Sequence, residues 1–316
     1  RVLRPPAGTR ARGGQPEADR GDGRMKVVVF GATGTIGRPL VDRLAREHEV
    51  VAVSRREHQE SDGVTWAVAD AKDRDSVARV LEGAKVAYYL VHSLGAADFE
   101  AEDLKAAETT ARASEQAGVA QLVYLGGLGD DSPDLSPHLR SRRETAQRLA
   151  STSVPLTTLR AAIVVGRGSA AFETIVALVD RLPAMLTPRW VSTRTQPIAL
   201  TDVVEYLAGV CGLDAAFGQE LDVGGPEVMT YREMLQRIAT LRGKRPRIVE
   251  VPLLTPYLSS LWLHLVTPVK APVARPLIEG LRNETIVREE RIRGLVPIPL
   301  TTFDEAAQAA LAPTGG

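Results

Sequence analysis

Apolar positions along the chain fall into two alternating rhythms. Short β-rich runs occupy Lys26 to Phe30, Val50 to Ser54, Val64 to Ala69, Val86 to Val91, Leu122 to Leu125 and Leu156 to Val165. Between them, apolar residues spaced three and four apart predict helices over Ile36 to Glu47, Ser76 to Leu81, Phe99 to Gln116 and Ser141 to Ala150. This alternation is the signature of parallel βαβ units, and near-continuous runs such as VVVF and VAYYLV suit strands covered on both faces. Gly118 follows the third helix as a natural C-terminal cap. Pro39 sits early in the first helix, where the leading N–H groups have no intrahelical acceptor, so it does not break that element.

After Gly166 the rhythm loosens. Pro183, Pro188 and Pro197 punctuate a segment holding a helix around Phe172 to Val179; a helix at Asp202 to Val210, a strand at Glu220 to Val223 and a helix at Tyr231 to Arg242 follow. The remainder from Val251 is apolar and proline-rich and ends in a helix at Phe303 to Leu311. The expected architecture is α/β: a doubly wound parallel sheet over residues 25–226, an inserted substrate-lobe segment near 167–197, and a smaller C-terminal lobe over 227–316. Residues 1–24 are rich in Arg, Gly and Pro and lack an apolar run, which predicts a disordered extension, with Met25 a candidate start. Glu17, Asp19 and Asp22 argue against a transit peptide.

Composition narrows the function classes. Lys+Arg and Asp+Glu both number 39 in 316 residues, so net charge gives no support for nucleic-acid or anionic-membrane partners. The single cysteine, Cys211, cannot form an internal disulfide, and no Cys/His cluster with metal-ligand spacing accompanies it; a reducing cytoplasm is the expected compartment, with no metal. No apolar stretch reaches the roughly 18 residues of a membrane span. The nearest candidate, Leu253 to Val269, is interrupted by Pro256, His264 and Pro268.

The chemistry-bearing motif is MKVVVFGATGTIGRPLVDRL, a glycine-punctuated turn between a buried strand and an amphipathic helix. In the Rossmann reading, Gly31 permits the tight turn, Gly34 lets backbone approach a pyrophosphate, and Gly37 lets helix and strand pack closely. Thr33 and Ile36 stand between these glycines in the same cradle, and the helix N-terminus supplies unpaired N–H groups. The second strand ends VAVSRR, without the acidic residue that accepts hydrogen bonds from an NADH ribose. Arg55 and Arg56 stand there instead, with Arg38 on the first helix, and guanidinium groups pair well with a 2′-phosphate. NADP(H) is therefore favoured over NAD(H), solvated surface arginines being the other reading.

The G-x-x-G-x-x-G spacing and its flanks resemble the short-chain dehydrogenase/reductase superfamily over nearly everything after Met25. That resemblance implies that Asp70 reaches the adenine amino group, although a loop or helix-capping carboxylate is the alternative. It also runs Leu90, Val91 and His92 beside the cofactor ribose, where His92 is either a proton carrier or a structural hydrogen-bonder.

Reductases of that superfamily carry a Ser after the fifth strand and a Tyr-x-x-x-Lys on the next helix. Here Gly126 and Gly127 stand where the hydroxyl belongs, and His138 and Arg142 take the Tyr and Lys places. His138 can donate a proton near pH 7; Arg142 can grip a ribose or phosphate but cannot relay protons. A cofactor-holding pair without catalysis is the alternative. Tyr124, inside an apolar run, reads as core.

The departures, together with GATGTIGR, YYLVHSLG, YLGGLGDD and PHLRSRRE, resemble the atypical NmrA-like NAD(P)H-binding subgroup, in a bacterial branch. Its members include reductases, NADP sensors and the accessory subunit of respiratory complex I. The resemblance sets Arg160, Gly166, Ser169 and Phe172 beside the nicotinamide end and Trp190, Arg194 and Gln196 on the far wall. It leaves two functions open: an NADPH-dependent reductase of a small apolar carbonyl or enone, or a non-catalytic NADP(H)-responsive sensor, regulator or assembly factor whose partner is another protein. An apolar segment at Leu253 to Val266, with Tyr257 and Trp262, covers a substrate pocket, faces a membrane surface or is simply core.

Overall fold

The computed structural model describes residues 24–59, 63–92, 99–129, 135–181, 184–187, 189–250 and 280–313. The segment from Leu253 to Val266 lies outside these, as do residues 1–23 and the side chains of His138 and Trp190.

The main sheet is built from β1 (Lys26–Phe30), β2 (Glu49–Ser54), β3 (Val64–Val68), β4 (Val86–Tyr89), β5 (Gln121–Gly127), β6 (Leu156–Ala161) and β11 (Glu220–Val223). All seven are parallel, in the order β11-β6-β5-β4-β1-β2-β3. Strand order reverses between β1 and β4, so a crevice opens beyond their carboxyl ends, the place where open α/β sheets bind ligands.

Alternation along β1 explains the layers. Val27 and Val29 face a core shared with α1 (Gly37–Leu44) and α6 (Leu200–Gly209), through Leu40, Leu44, Val203 and Leu207. Val28 and Phe30 face the opposite core, with α2 (Arg74–Leu81), α3 (Phe99–Gln116) and α4 (Pro137–Leu149), where Val77, Leu81, Ala107, Ala111 and Tyr124 pack. Both faces of each central strand are covered, which is why these strands read as continuous apolar runs. A third apolar cluster joins α5 (Ala170–Arg181), α7 (Tyr231–Leu241) and α9 (Phe303–Leu311) through Phe172, Ile175, Leu178, Leu235, Ile238 and Phe303. A short α8 (Arg291–Leu295) adds Ile292 to the core beneath α6.

Several expected boundaries move, each for a local reason. The run from Leu156 to Val165 is two strands: after β6 the chain bends at residues 162–163, and β7 (Val164–Val165) pairs with β10 (Ile198–Ala199) instead. An apolar run records burial and cannot record that bend. The fourth strand stops at Tyr89, because Leu90 turns away at the crevice after its N–H bonds Phe30 O at 2.9 Å. Helix α4 starts a turn earlier than its apolar period suggests: the Ser136 hydroxyl accepts from Leu139 N at 3.3 Å and Pro137 opens the helix.

Short pairings carry no sequence signal of comparable strength. They are β8 (Ala184–Thr187) with β13 (Arg247–Glu250), and β9 (Arg194–Thr195) with β12 (Met229–Thr230).

Candidate active site

The glycine turn lies in the crevice. Gly31 has φ +83°, and a Cβ there would fall 2.7 Å from Leu90 C and O, so both its conformation and its neighbour demand glycine. A Cβ on Gly37 would fall 2.1 Å from Gly31 O, which locks α1 close against the turn. Gly34 is exposed; its N–H bonds Gly31 O at 3.0 Å, and among the described residues a Cβ there would meet only that oxygen, at 3.2 Å. Ile36, at the N-cap position of α1, provides no side-chain cap. This cradle suits an anionic group, since no side chain caps the first N–H groups of α1 among the described residues.

A cavity of about 450 Å³ extends from this turn. Gly31, Gly34, Ile36, Gly37, Leu90, His92 and Arg142 all line it. The other expected cofactor residues do not. Thr33 is exposed at the turn's outer edge, and Val91 is half-buried among the α3-side core. Arg38, Arg55 and Arg56 are exposed near the ends of α1 and β2. Asp70 accepts from Lys72 N at 2.9 Å in the loop before α2, and its carbonyl accepts from the Ser76 hydroxyl.

The far wall is aliphatic, formed by Leu139, Ile163, Ile175, Leu178, Leu235 and Leu281. Polar groups are sparse there. Thr195 and Thr285 share a 2.7 Å hydroxyl hydrogen bond, and buried Tyr231 joins them. Burial pushes the Tyr231 phenol up to about 12, so it stays protonated at neutral pH.

His92 Nδ1 lies 3.4 Å from Oδ2 of Asp103, which α3 holds 3% exposed. Burial is the largest influence on His92 and pulls its pKa below the usual value; Asp103 opposes that shift, and the Arg142 charge reinforces it. Arg142 bends back onto β5. Its guanidinium donates to Leu125 O and sits 4.8 Å over the Tyr124 ring, while the Tyr124 hydroxyl donates to Arg142 O at 3.1 Å. Tyr124 is fully buried, as its place in an apolar run suggests. His138 lies one helical turn before Arg142 on α4, and its side chain is outside the described residues.

Other expected positions lie elsewhere. Ser169 lines the cavity, but Arg160 does not; its Nε donates to buried Asp222 at 2.7 Å and it also pairs with Glu220. Phe172 is buried in the third apolar cluster, and Gly166 packs against Leu200. Arg194 pairs with Glu284 on the surface. Gln196 is a buried brace, donating to Gly225 O and accepting from Val287 N.

Three features of this site escape sequence reading. Thr35 Oγ1 donates to Gly168 O at 2.8 Å and ties the glycine turn to the loop before α5. Tyr231 reads only as a helix start. Asp103 carried a usable signal: a carboxylate on the helical stripe of Ala106, Ala107 and Thr110, all buried.

The chain matches the NAD(P)H-binding family over residues 31–173. Those residues form an NAD(P)H-binding domain. The mitochondrial NADH dehydrogenase (ubiquinone) 1 alpha subcomplex subunit 9 of Arabidopsis thaliana is 23% identical over 288 residues, 84% of this chain and 72% of that protein. The (4-alkanoyl-5-oxo-2,5-dihydrofuran-3-yl)methyl phosphate reductase of Streptomyces griseus is 26% identical over 236 residues, covering 71% and 77%. The fold is also that of the Citrobacter sp. triphenylmethane reductase crystallised with NADP(H), at TM-score 0.71 and 18% identity, covering 90% of this chain and 100% of that one.

Proposed function

We propose that this protein is a cytoplasmic NADPH-dependent reductase of an apolar carbonyl or enone. One observation carries the reading: a single cavity runs from the glycine turn to an aliphatic wall, so a bound dinucleotide and an apolar substrate would share one water-poor space. The nicotinamide supplies hydride when bound. The chain's own residues do the rest in this reading. Gly31, Thr33, Gly34, Ile36 and Gly37 cradle the pyrophosphate; Leu90, Val91 and His92 flank the ribose; Asp70 reaches the adenine end. Arg55 and Arg56 support NADPH over NADH, standing exposed beyond β2 with no acidic residue in their place. His138 or water delivers the proton, and Arg142, fixed against Leu125 O, orients the ribose end. The elements around the third apolar cluster, α5, α7 and α9, serve as the substrate lobe.

The test is NADPH oxidation against a panel of apolar carbonyls and enones, with NADPH affinity measured in parallel. Turnover that is lost in His138→Ala, with NADPH binding retained, is the expected result. A second reading, a non-catalytic NADP(H)-responsive sensor or assembly factor, draws support from Gly126 and Gly127 standing where a catalytic hydroxyl is usual, and from the likeness to a respiratory-chain subunit. Tight NADPH binding without turnover of any panel member would select it and overturn the reductase.

A further inference from the structure

Thr35 stands between Gly34 and Gly37, within the stretch that an anion at the turn would sit against. Its hydroxyl donates to Gly168 O at 2.8 Å, 133 residues further along the chain. Among the described residues, no second hydrogen bond joins the turn to the loop before α5.

The receiving loop is held at each of its four residues. Gly168 has φ +81°, and a Cβ there would meet Thr35 Oγ1 at 3.2 Å and Cγ2 at 3.5 Å, so backbone conformation and close approach both favour glycine. Its N–H donates to Glu173 Oε1 at 2.9 Å, and Glu173 N donates to Ser169 O at 2.8 Å. The residue that Thr35 holds is thus bonded in turn to the first turn of α5. Ser169 N donates back to Gly166 O at 3.2 Å, Gly166 packs on Leu200 of α6, and the Arg167 guanidinium donates to Ala312 O just past α9. A short loop pinned in this way has few free torsions and passes a displacement on instead of absorbing it.

Helix α5 is also a wall of the cavity. Thr174, Ile175 and Leu178 line it, following on from the end that is tied to the glycine turn. The turn and the aliphatic wall are therefore joined through one side-chain hydrogen bond.

We infer that Thr35 is a positioning residue that couples occupation of the glycine turn to α5. A dinucleotide that holds the backbone of the turn restrains Thr35, and through Gly168 it restrains α5, so the apolar wall is ordered for a second ligand once the dinucleotide is in place. Ordering supplied by the first ligand is not required again of the second, which favours binding in that sequence. The coupling requires a dinucleotide at the turn and no turnover, so it stands apart from the reductase reading.

Amide hydrogen exchange, followed by mass spectrometry on the full chain with and without saturating NADPH and again with NADH, tests it. In the wild type, dinucleotide should slow exchange in α1 and, by at least about fivefold, in α5, the low end for coupled sites. Thr35→Val keeps the branching and removes the hydroxyl; it should retain the α1 response and lose the α5 response. Thr35→Ser keeps the hydroxyl and should retain both. Four results would each overturn the inference: an equal α5 response in Thr35→Val, which would mean direct contact between α5 and the dinucleotide; no α5 response in the wild type; a serine variant that behaves like the valine one; or loss of the α1 response in Thr35→Val, which would make Thr35 part of the cradle itself. Coupling without turnover of any panel carbonyl would sink the reductase reading alone. Turnover without an α5 response in the wild type would sink this inference alone.

Discussion

His92 and Asp103 meet across the α3-side wall of the cavity, imidazole Nδ1 to carboxylate Oδ2 at 3.4 Å. The pair has a thermodynamic consequence. His92 is held below its usual pKa near 6.5 by burial first, with Arg142 acting in the same direction and Asp103 against it. As pH falls, the unfolded chain therefore takes up a proton before the folded one does. Stability is full above the ordinary histidine range and is lost as pH falls through it. Melting temperature should drop between about pH 7 and pH 5, and His92→Gln should flatten part of that slope. His48, also held low by burial, keeps its share in the variant. Equal slopes for wild type and variant would show that His92 titrates as if unburied.

Gly37→Ala tests the cradle. The new methyl would lie 2.1 Å from a backbone oxygen, which no rotamer change can relieve. Urea unfolding should show a loss of about 1–3 kcal/mol, the range for forcing an extra carbon into packed structure. NADPH affinity should fall with it, because α1 must shift from the turn. A variant with unchanged stability and affinity would remove the close-packing role from Gly37.

Cofactor preference should follow the arginines beyond β2. Replacing Arg55 and Arg56 with Asp should weaken NADPH by roughly ten- to a hundredfold while leaving NADH within a few-fold, since a charge-assisted contact contributes about 1.5–3 kcal/mol. Fluorescence titration with each dinucleotide reads this directly. Parallel losses for both cofactors would mean that these arginines do not read the 2′-phosphate.

Asp222 tests the buried ion pair on β6 and β11. It is fully buried and accepts from Arg160 Nε at 2.7 Å and Arg288 N at 3.0 Å. Asp222→Ala should cost about 3 kcal/mol, the low end for a broken buried pair, because Glu220 still engages Arg160. Chemical denaturation measures it, and a loss below about 1 kcal/mol would place the pair among surface bridges.

What was legible before folding is what is encoded locally. The βαβ rhythm and the glycine turn depend on periods of two and 3.6 and on residues adjacent in sequence, so the tight turn at Gly31 and the close packing at Gly37 are legible from the chain alone. The core placement of Tyr124 was readable for the same reason. The Ser136–Pro137 cap is also encoded locally, one turn ahead of the apolar period that marks α4.

The rest was decided by tertiary contact. Nothing near Arg160 in sequence says that it turns to Asp222, 62 positions away, instead of into the cavity. Thr35 finds Gly168 across 133 residues, and β8 finds β13 across a proline-broken stretch. Even Arg142, which lines the cavity, has its guanidinium fixed by a carbonyl 17 residues earlier. Sequence periodicity determines which face of an element is buried. Which buried or half-buried polar groups meet is set by how whole elements pack, because each such group must find a partner somewhere once water is excluded.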